Sequence, residues 1–359
     1  MKIILNLIFS CLIFGVVANA QDNAKVITVD FSRNDKLNIS QIAEDVKAIP
    51  LNFVHLNIPL VNQVIVTSDY LYVKVSEPKK GSHPFIYQLQ RDGKLIRQVG
   101  LRDAKSNEFI DDYGMFYSEK TKELIISYKT YLAIFDENGK LKRKIDGITT
   151  VGYGALYNNK YYGIKYIFDG KNSKVTTRYT STDLATNHLD TIFIDTRKFA
   201  KDEHVFPGFE FSTAENKLYY NDDSRKQINR IDNNKIECAY RFIYKDKKEV
   251  SGNIPDYNSM ARDYNHMPRI VFNRYISFGY FNDRKDYCLI YDKKNGESFH
   301  VTPGINDDIF GTGHFILYHT NSENYAYSFK SGDLVSGKIK GVEDESTWVL
   351  FLTKLKQSN

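Results

Sequence analysis

Residues scattered from position 102 to position 314 carry side chains suited to holding or attacking a ligand: Arg102, Asn107, Glu108, Tyr153, His204, Phe206, Arg269, Arg274, Asp307, Asp308 and His314. Arginines beside aromatic rings can take a carboxylated or sulfated sugar, with guanidinium forks on the anion and rings against the apolar sugar face. Glu108 facing Asp307 or Asp308 across a sugar would make a glycosidase-like acid and base pair, given the separations that chemistry requires. His204 or His314 could pass a proton. No His-x-x-x-His or cysteine-rich spacing offers a metal site, and the chain has no Gly-x-Ser-x-Gly elbow, phosphate-cradling glycine loop or dinucleotide fingerprint, so no cofactor is expected. Turns such as Asp136-Glu137-Asn138-Gly139 lack the distal glutamate of a calcium loop, and turn formation alone explains their Asp, Asn and Gly.

For residues so far apart to meet, the fold must bring many loops to one place, and a repeated hairpin supplies the means. Phe85-Ile86-Tyr87-Gln88-Leu89 alternates large apolar side chains as a half-buried strand does, Arg91-Asp92-Gly93-Lys94 turns the chain, and Leu95 to Val99 returns. The same grammar recurs at Tyr131 to Ile145, Arg178 to Ile194, Gln227 to Tyr244 and Asp286 to Val301. A hairpin returning at blade-length spacing predicts an all-β fold, a six-bladed β-propeller of four-stranded antiparallel blades. The loops entering each innermost strand then converge on one mouth of the central channel, which is where the residues above are expected to gather.

Blade one is expected from about Val61 to Gly100, blade two from Ile110 to Ile145, blade three from Gly152 to Ile194 and blade four from Phe209 to Tyr244. Pro255, Tyr257, Met260, Ala261 and Tyr264 predict a helical insertion over Asp246 to Met267, ahead of a fifth blade starting at Ile270. Blade six offers His314 to Tyr318, Tyr325 to Phe329 and Trp348 to Leu355, and Val26 to Phe31 is expected to supply its fourth strand and close the ring. Ile39, Ile42, Ala43 and Val46 have helical spacing.

The apolar run from Ile3 to Val17, followed by Ala18-Asn19-Ala20, predicts a signal peptide over residues 1–20, leaving residues 21–359 as one propeller domain with no transmembrane segment after processing. Ile8-Phe9-Ser10-Cys11 leaves too little apolar chain upstream for a lipid-anchored precursor, so the product is expected to be periplasmic or extracellular. Acidic and basic residues are mixed along a chain of formal charge +5, which excludes the basic face of a nucleic-acid binder. Tyr and Phe number 26 and 23 against 8 Pro, a composition of sheet rather than disorder. Cys238 and Cys288 fall on strands of different blades and are expected not to bridge.

Leu37-Asn38-Ile39-Ser40 with Val46 to Leu51, then Phe85 to Gly100, then Val342-Glu343-Asp344-Glu345 leading to Leu355-Lys356, give the chain a resemblance to the secreted bacterial six-bladed β-propeller proteins of unassigned function, distant relatives of NHL-repeat propellers. The resemblance spans nearly all of residues 21–359 and implies the fold and a secreted location, with no reaction attached. That family's glycine- and proline-containing loop with a Glu-aromatic pair corresponds to Leu101 to Phe109; Glu108-Phe109 fits, whereas Arg102-Asp103-Ala104-Lys105-Ser106-Asn107 replaces the glycines and proline.

Three functions follow as expectations. The first is a non-catalytic binding propeller, at the cell envelope, whose channel mouth recognises a glycan or peptide. The second is a hydrolase or lyase of acidic polysaccharide with Glu108, His204 or His314 as acid or base. The third is a scaffold that docks an envelope protein through its rim or the 246–267 insertion.

Overall fold

The computed structural model describes residues 24–30, 32–51, 60–76, 84–99, 112–128, 130–148, 154–169, 174–198, 211–222, 227–232, 235–245, 266–282, 285–342 and 347–357. Within them the chain forms six small sheets arranged as the blades of a ring. Blade one comprises Leu60–Val66, Tyr70–Ser76, Phe85–Gln90 and Leu95–Val99; blade two Asp112–Ser118, Glu123–Tyr128, Tyr131–Phe135 and Leu141–Asp146; blade three Ala155–Tyr157, Lys160–Asp169, Lys174–Asp183 and Leu189–Lys198. Blade four contains Phe211–Ala214, Lys217–Asp222, Gln227–Asp232 and Lys235–Lys245, and blade five His266–Val271, Tyr275–Asn282, Lys285–Asp292 and Ser298–Val301. All five hairpins expected from the sequence are present, and Asp136 Oδ1 accepts the N–H groups of Asn138 and Lys140 at 2.9 Å each, the work of a turn residue.

Ring closure is the principal correction. Blade six is built from Tyr318–His319, Tyr325–Ser331 and Trp348–Leu355, and its outer strand is Ala43–Pro50, paired antiparallel with Trp348–Leu355. An N-terminal segment does close the ring, but it is the one after Val26 to Phe31. The helical spacing beginning at Ile39 has a local cause: one short helix, Ile39–Ile42, with Gln41 Oε1 accepting the Asn38 N–H at 2.8 Å, runs straight into a strand with a register shift between Ala43 and Asp45. The shift spaces the buried Ile39, Ile42, Ala43 and Val46 as a longer helix would. Pro50 is tolerated because an outer strand has one edge that donates no ladder bond.

The expected closing strand, Lys25–Asp30, is instead a fifth strand on blade four, parallel to Lys235–Lys245. Its buried Ile27 and Val29 join Phe242, Phe278 and Leu289 in the core between blades four and five. From there the chain runs as a strap across the outer edge of blade five, where Asp30 N donates to His300 Nε2 (2.9 Å), Asp35 N to His300 O (2.6 Å) and His300 N to Asp35 Oδ2 (2.9 Å), before reaching blade six. One N-terminal segment thus ties three consecutive blades.

Two further boundaries differ from expectation. His266 and Met267 open the inner strand of blade five, while the rest of the expected insertion, residues 246–265, lies outside the described residues. His314–Phe315 pairs with Ile305–Asn306 as a separate two-stranded ribbon, so the inner strand of blade six starts at Tyr318. Cys238 and Cys288 stand in blades four and five with no disulfide between them, as expected.

Apolar side chains fill the spaces between blades, as at Tyr72, Met115, Leu124 and Phe135 between blades one and two. Gly93, at φ +95°, turns the blade-one hairpin so close to the closing strand that a Cβ there would sit 2.2 Å from Ile49 Cγ2.

Candidate functional site

Antiparallel alternation gives the ring two unlike mouths. The starts of the inner strands lie at one end; the described turns from first to second and from third to fourth strands lie at the other.

Polar staples join neighbouring blades along the inner strands and at the turn-side mouth. Gln63 of blade one holds Met115 of blade two with its side-chain amide, Nε2 to the carbonyl at 2.7 Å and the N–H to Oε1 at 2.8 Å. Asn321 of blade six does the same to Val66 of blade one at 2.7 and 3.1 Å. Each amide continues the neighbour's backbone pattern where no strand is available to pair. Ser127 and the Tyr161 hydroxyl join blades two and three at 3.0 Å, and the Tyr157 hydroxyl donates to Asn216 O between blades three and four. Asn273 spans three blades: its Oδ1 accepts the Glu215 N–H of blade four (2.8 Å), and its Nδ2 donates to Asn324 Oδ1 of blade six (2.7 Å).

Two charge pairs stand at this mouth. Arg274 grips Asp292 as a fork, Nη2 to Oδ2 at 2.6 Å and Nε to both oxygens at 3.1 and 3.2 Å. Burial works to raise the Asp292 carboxyl, and the Arg274 fork with the Lys294 N–H outweighs it, leaving the group below its usual range. Lys293 meets Glu215 at 2.5 Å, yet burial keeps its pKa below that of an ordinary lysine.

The sequence-predicted residues separate accordingly. Arg102, Asn107, Glu108, Tyr153, His204 and Phe206 lie outside the described residues. Arg269 is in the inner strand of blade five opposite Phe278. Arg274 follows that strand, so it stands at the turn-side mouth, away from the entering segments, with its guanidinium committed to Asp292.

Asp307, Asp308 and His314 belong to the segment entering blade six, which packs along the outer flank beside the strap. Asp307 is 3% exposed and accepts the N–H groups of Ile309 (3.2 Å), Phe310 (3.0 Å) and Thr312 (2.9 Å) as well as the Thr312 hydroxyl. Burial favours its neutral form, and these donors together keep its pKa low. Asp308 accepts from the Ser40 hydroxyl at 2.5 Å and the Ser40 N–H at 3.1 Å, fixing the start of the short helix that leads to the closing strand. His314 is exposed in the two-stranded ribbon. Behind them Lys330, 7% exposed, donates to Thr312 O (2.8 Å) and Thr312 Oγ1 (2.9 Å) and lies 4.3 Å from the centre of the Phe315 ring; burial pushes its pKa down to about 8.

Asn273, Asp292, Lys293 and Glu215 were not among the sequence candidates. Their only local signal is polar residues between two apolar strands, as in Phe272-Asn273-Arg274-Tyr275, and turn chemistry reads the same way. Among the described residues no cluster of three or more His, Cys, Asp or Glu could hold a metal, and no helix is long and apolar enough to cross a membrane.

These features define a six-bladed β-propeller with a strapped ring and a stapled turn-side mouth. Its fold is similar to that of a Bacteroides fragilis protein described as exported, at 11% identity and a TM-score of 0.68, over 93% of this chain and 100% of that one. It is also similar to a Bacteroides vulgatus member of the DUF4221 family, at 12% identity and a TM-score of 0.53, over 90% of this chain and 99% of that one. No family model matches the chain, and no curated protein does.

Proposed function

We infer that the protein is an exported binding propeller that recognises a glycan or peptide at the mouth formed by its entering segments, without a reaction of its own. The observation that carries this reading is the structural commitment of the two candidate carboxylates that lie among the described residues. Asp307 spends its oxygens on the N–H groups of Ile309, Phe310 and Thr312 and Asp308 spends its own on Ser40, donors that hold both pKa values low, so neither is free to pair with Glu108 as a general acid. The stapled turn-side mouth gives the entering segments a rigid support, which suits recognition. Export is supported by the N-terminal apolar run and by the described export of the Bacteroides fragilis neighbour.

At the entering mouth Arg102 and Arg269 would grip an anionic group, Tyr153 and Phe206 would stack on a sugar face, and Asn107, Glu108 and His204 would take hydroxyls. Thermal unfolding of residues 21–359 against acidic glycans, neutral glycans and peptides tests this. A ligand at a hundredfold over its dissociation constant stabilises the folded state by about 2.7 kcal/mol. A shifted midpoint with an unchanged ligand chain length is expected; new reducing ends or unsaturated products would make the protein a hydrolase or lyase.

A further inference from the structure

The junction of blades three and four departs from the apolar packing of its neighbours. Its inner part is closed by Tyr162, Ile164, Tyr179, Phe211, Leu218 and Tyr220. Outside that cluster a cleft of about 450 Å³ stays open, with Phe193 of blade three on one wall and Gln227, Asn229, Lys235, Ile236 and Cys238 of blade four on the other.

A register shift between Ile228 and Asn229 lies within its blade-four wall. Ile228 pairs with Tyr240 and Asn229 with Cys238, leaving Ala239 as the extra residue of the outer strand. On one side of this bulge Tyr240 and Phe242 face blade five, and on the other Ile236 turns toward blade three. Asn229 and Cys238 thus sit opposite one another beneath the opening.

The polar groups there are incompletely matched. Asn229 is 1% exposed; its Oδ1 accepts from Gln227 Nε2 at 2.8 Å, and its Nδ2 has no acceptor among the described residues. Buried amide donors are rarely left unmet in native proteins. Glu237, also on the lining, is held by Arg230 at 2.6 Å, so among the described lining residues Lys235 is the charge without an ion-pair partner. Phe193 and Ile236 offer flat apolar contact beside this donor and cation, and the volume falls in the range of small-ligand sites.

We propose that this cleft binds a small carboxylate carrying a flat apolar body, the body between Phe193 and Ile236 and the carboxylate taken by Asn229 Nδ2 and Lys235. The site is separate from the channel mouths and takes a different class of molecule.

Cys238, half-buried in the cleft, is a built-in reporter, and Cys288, fully buried with its thiol pushed up to about 12, is the unreactive control. The experiment follows iodoacetamide alkylation of each cysteine in folded residues 21–359 by peptide mass mapping, with phenylacetate as the probe and phenylethanol as its uncharged counterpart. Phenylacetate is expected to slow Cys238 alkylation saturably, and phenylethanol to protect much less. Asn229→Leu and the surface change Lys235→Glu should each raise the protecting concentration about tenfold, the effect of one lost charge-assisted hydrogen bond. Lys235→Glu keeps the test decisive should Asn229→Leu fail to fold. An alkylation rate indifferent to phenylacetate overturns the proposal, as does equal protection by phenylethanol or unchanged protection in Lys235→Glu.

Discussion

Replacing His300 by Phe removes the blade-five side chain that accepts the strap's Asp30 N–H, and its consequence has a definite pH signature. The imidazole is 1% exposed and accepts the Asp30 N–H at Nε2, so it is neutral with its proton on Nδ1, 3.8 Å from Asp35 Oδ2. The charges around it are Asp30, which Lys245 meets at 3.3 Å, and Asp35, which Arg33 meets at 2.7 Å. Burial lowers its pKa below the usual 6.5, Arg33 adds to this, and Asp35 and Asp30 oppose it. A group whose folded pKa is depressed binds fewer protons folded than unfolded, so stability is lost as pH falls from about 6.5 toward the folded value, at no more than about 1.4 kcal/mol per pH unit for one proton.

Phe fills most of the volume but accepts nothing, leaving the Asp30 N–H without its acceptor at a cost of about 1–3 kcal/mol above pH 7. His319, lowered to about 4 by desolvation, titrates in the same window, so the informative quantity is the difference between the two proteins. Urea unfolding of wild type and His300→Phe between pH 7.5 and 5 should show the gap shrinking on acidification. A gap that stays constant would refute the neutral-acceptor reasoning.

Lys330 predicts the opposite arm of the pH profile. With a folded pKa near 8, its own contribution to stability should rise as pH climbs from 8 toward 10.5, by about 3 kcal/mol in full; Lys293 and the raised Cys288 thiol titrate in the same range, so the rise is read as the wild-type minus Lys330→Met difference in urea unfolding. Gly93→Ala should destabilise by clearly more than Gly139→Ala: both have positive φ, but a Cβ at Gly93 strikes Ile49 at 2.2 Å whereas one at Gly139 meets Val99 at an ordinary 3.4 Å. Left-handed strain alone accounts for about 1 kcal/mol, the value expected at Gly139 in thermal unfolding. Arg274→Ala strands Asp292, which is 4% exposed, and should cost about 3–5 kcal/mol in chemical denaturation. Removing residues 21–37 should weaken the ring yet leave it folded, whereas removal through residue 50 also takes the outer strand of blade six and should abolish cooperative unfolding.

The repeating hairpins were legible because a two-residue alternation and a Gly, Asn or Asp turn are local signals, and Tyr131–Phe135 with Leu141–Asp146 needs nothing distant to be recognised. Ring closure was not, because Lys25–Asp30 and Ala43–Pro50 find partners more than 200 residues away. Both are apolar enough to cover a blade edge, and the bulge at Ala43 disguised the second as helix. The site was legible only as residue types. Which end of an inner strand a residue occupies follows from topology, so Arg269 and Arg274 looked equivalent although only five positions separate them. Asp307 and Asp308 looked catalytic for the same reason that they cap a turn and a helix: a carboxylate accepts several donors at once.

The most direct test of the binding account is the ligand-induced thermal shift of residues 21–359 compared in Arg269→Ala and Arg274→Ala, each mixture also assayed for cleavage products. The account predicts a shift without products that Arg269→Ala loses and that Arg274→Ala, though less stable itself, retains. Products of chain cleavage, or a shift lost in Arg274→Ala and kept in Arg269→Ala, would contradict it.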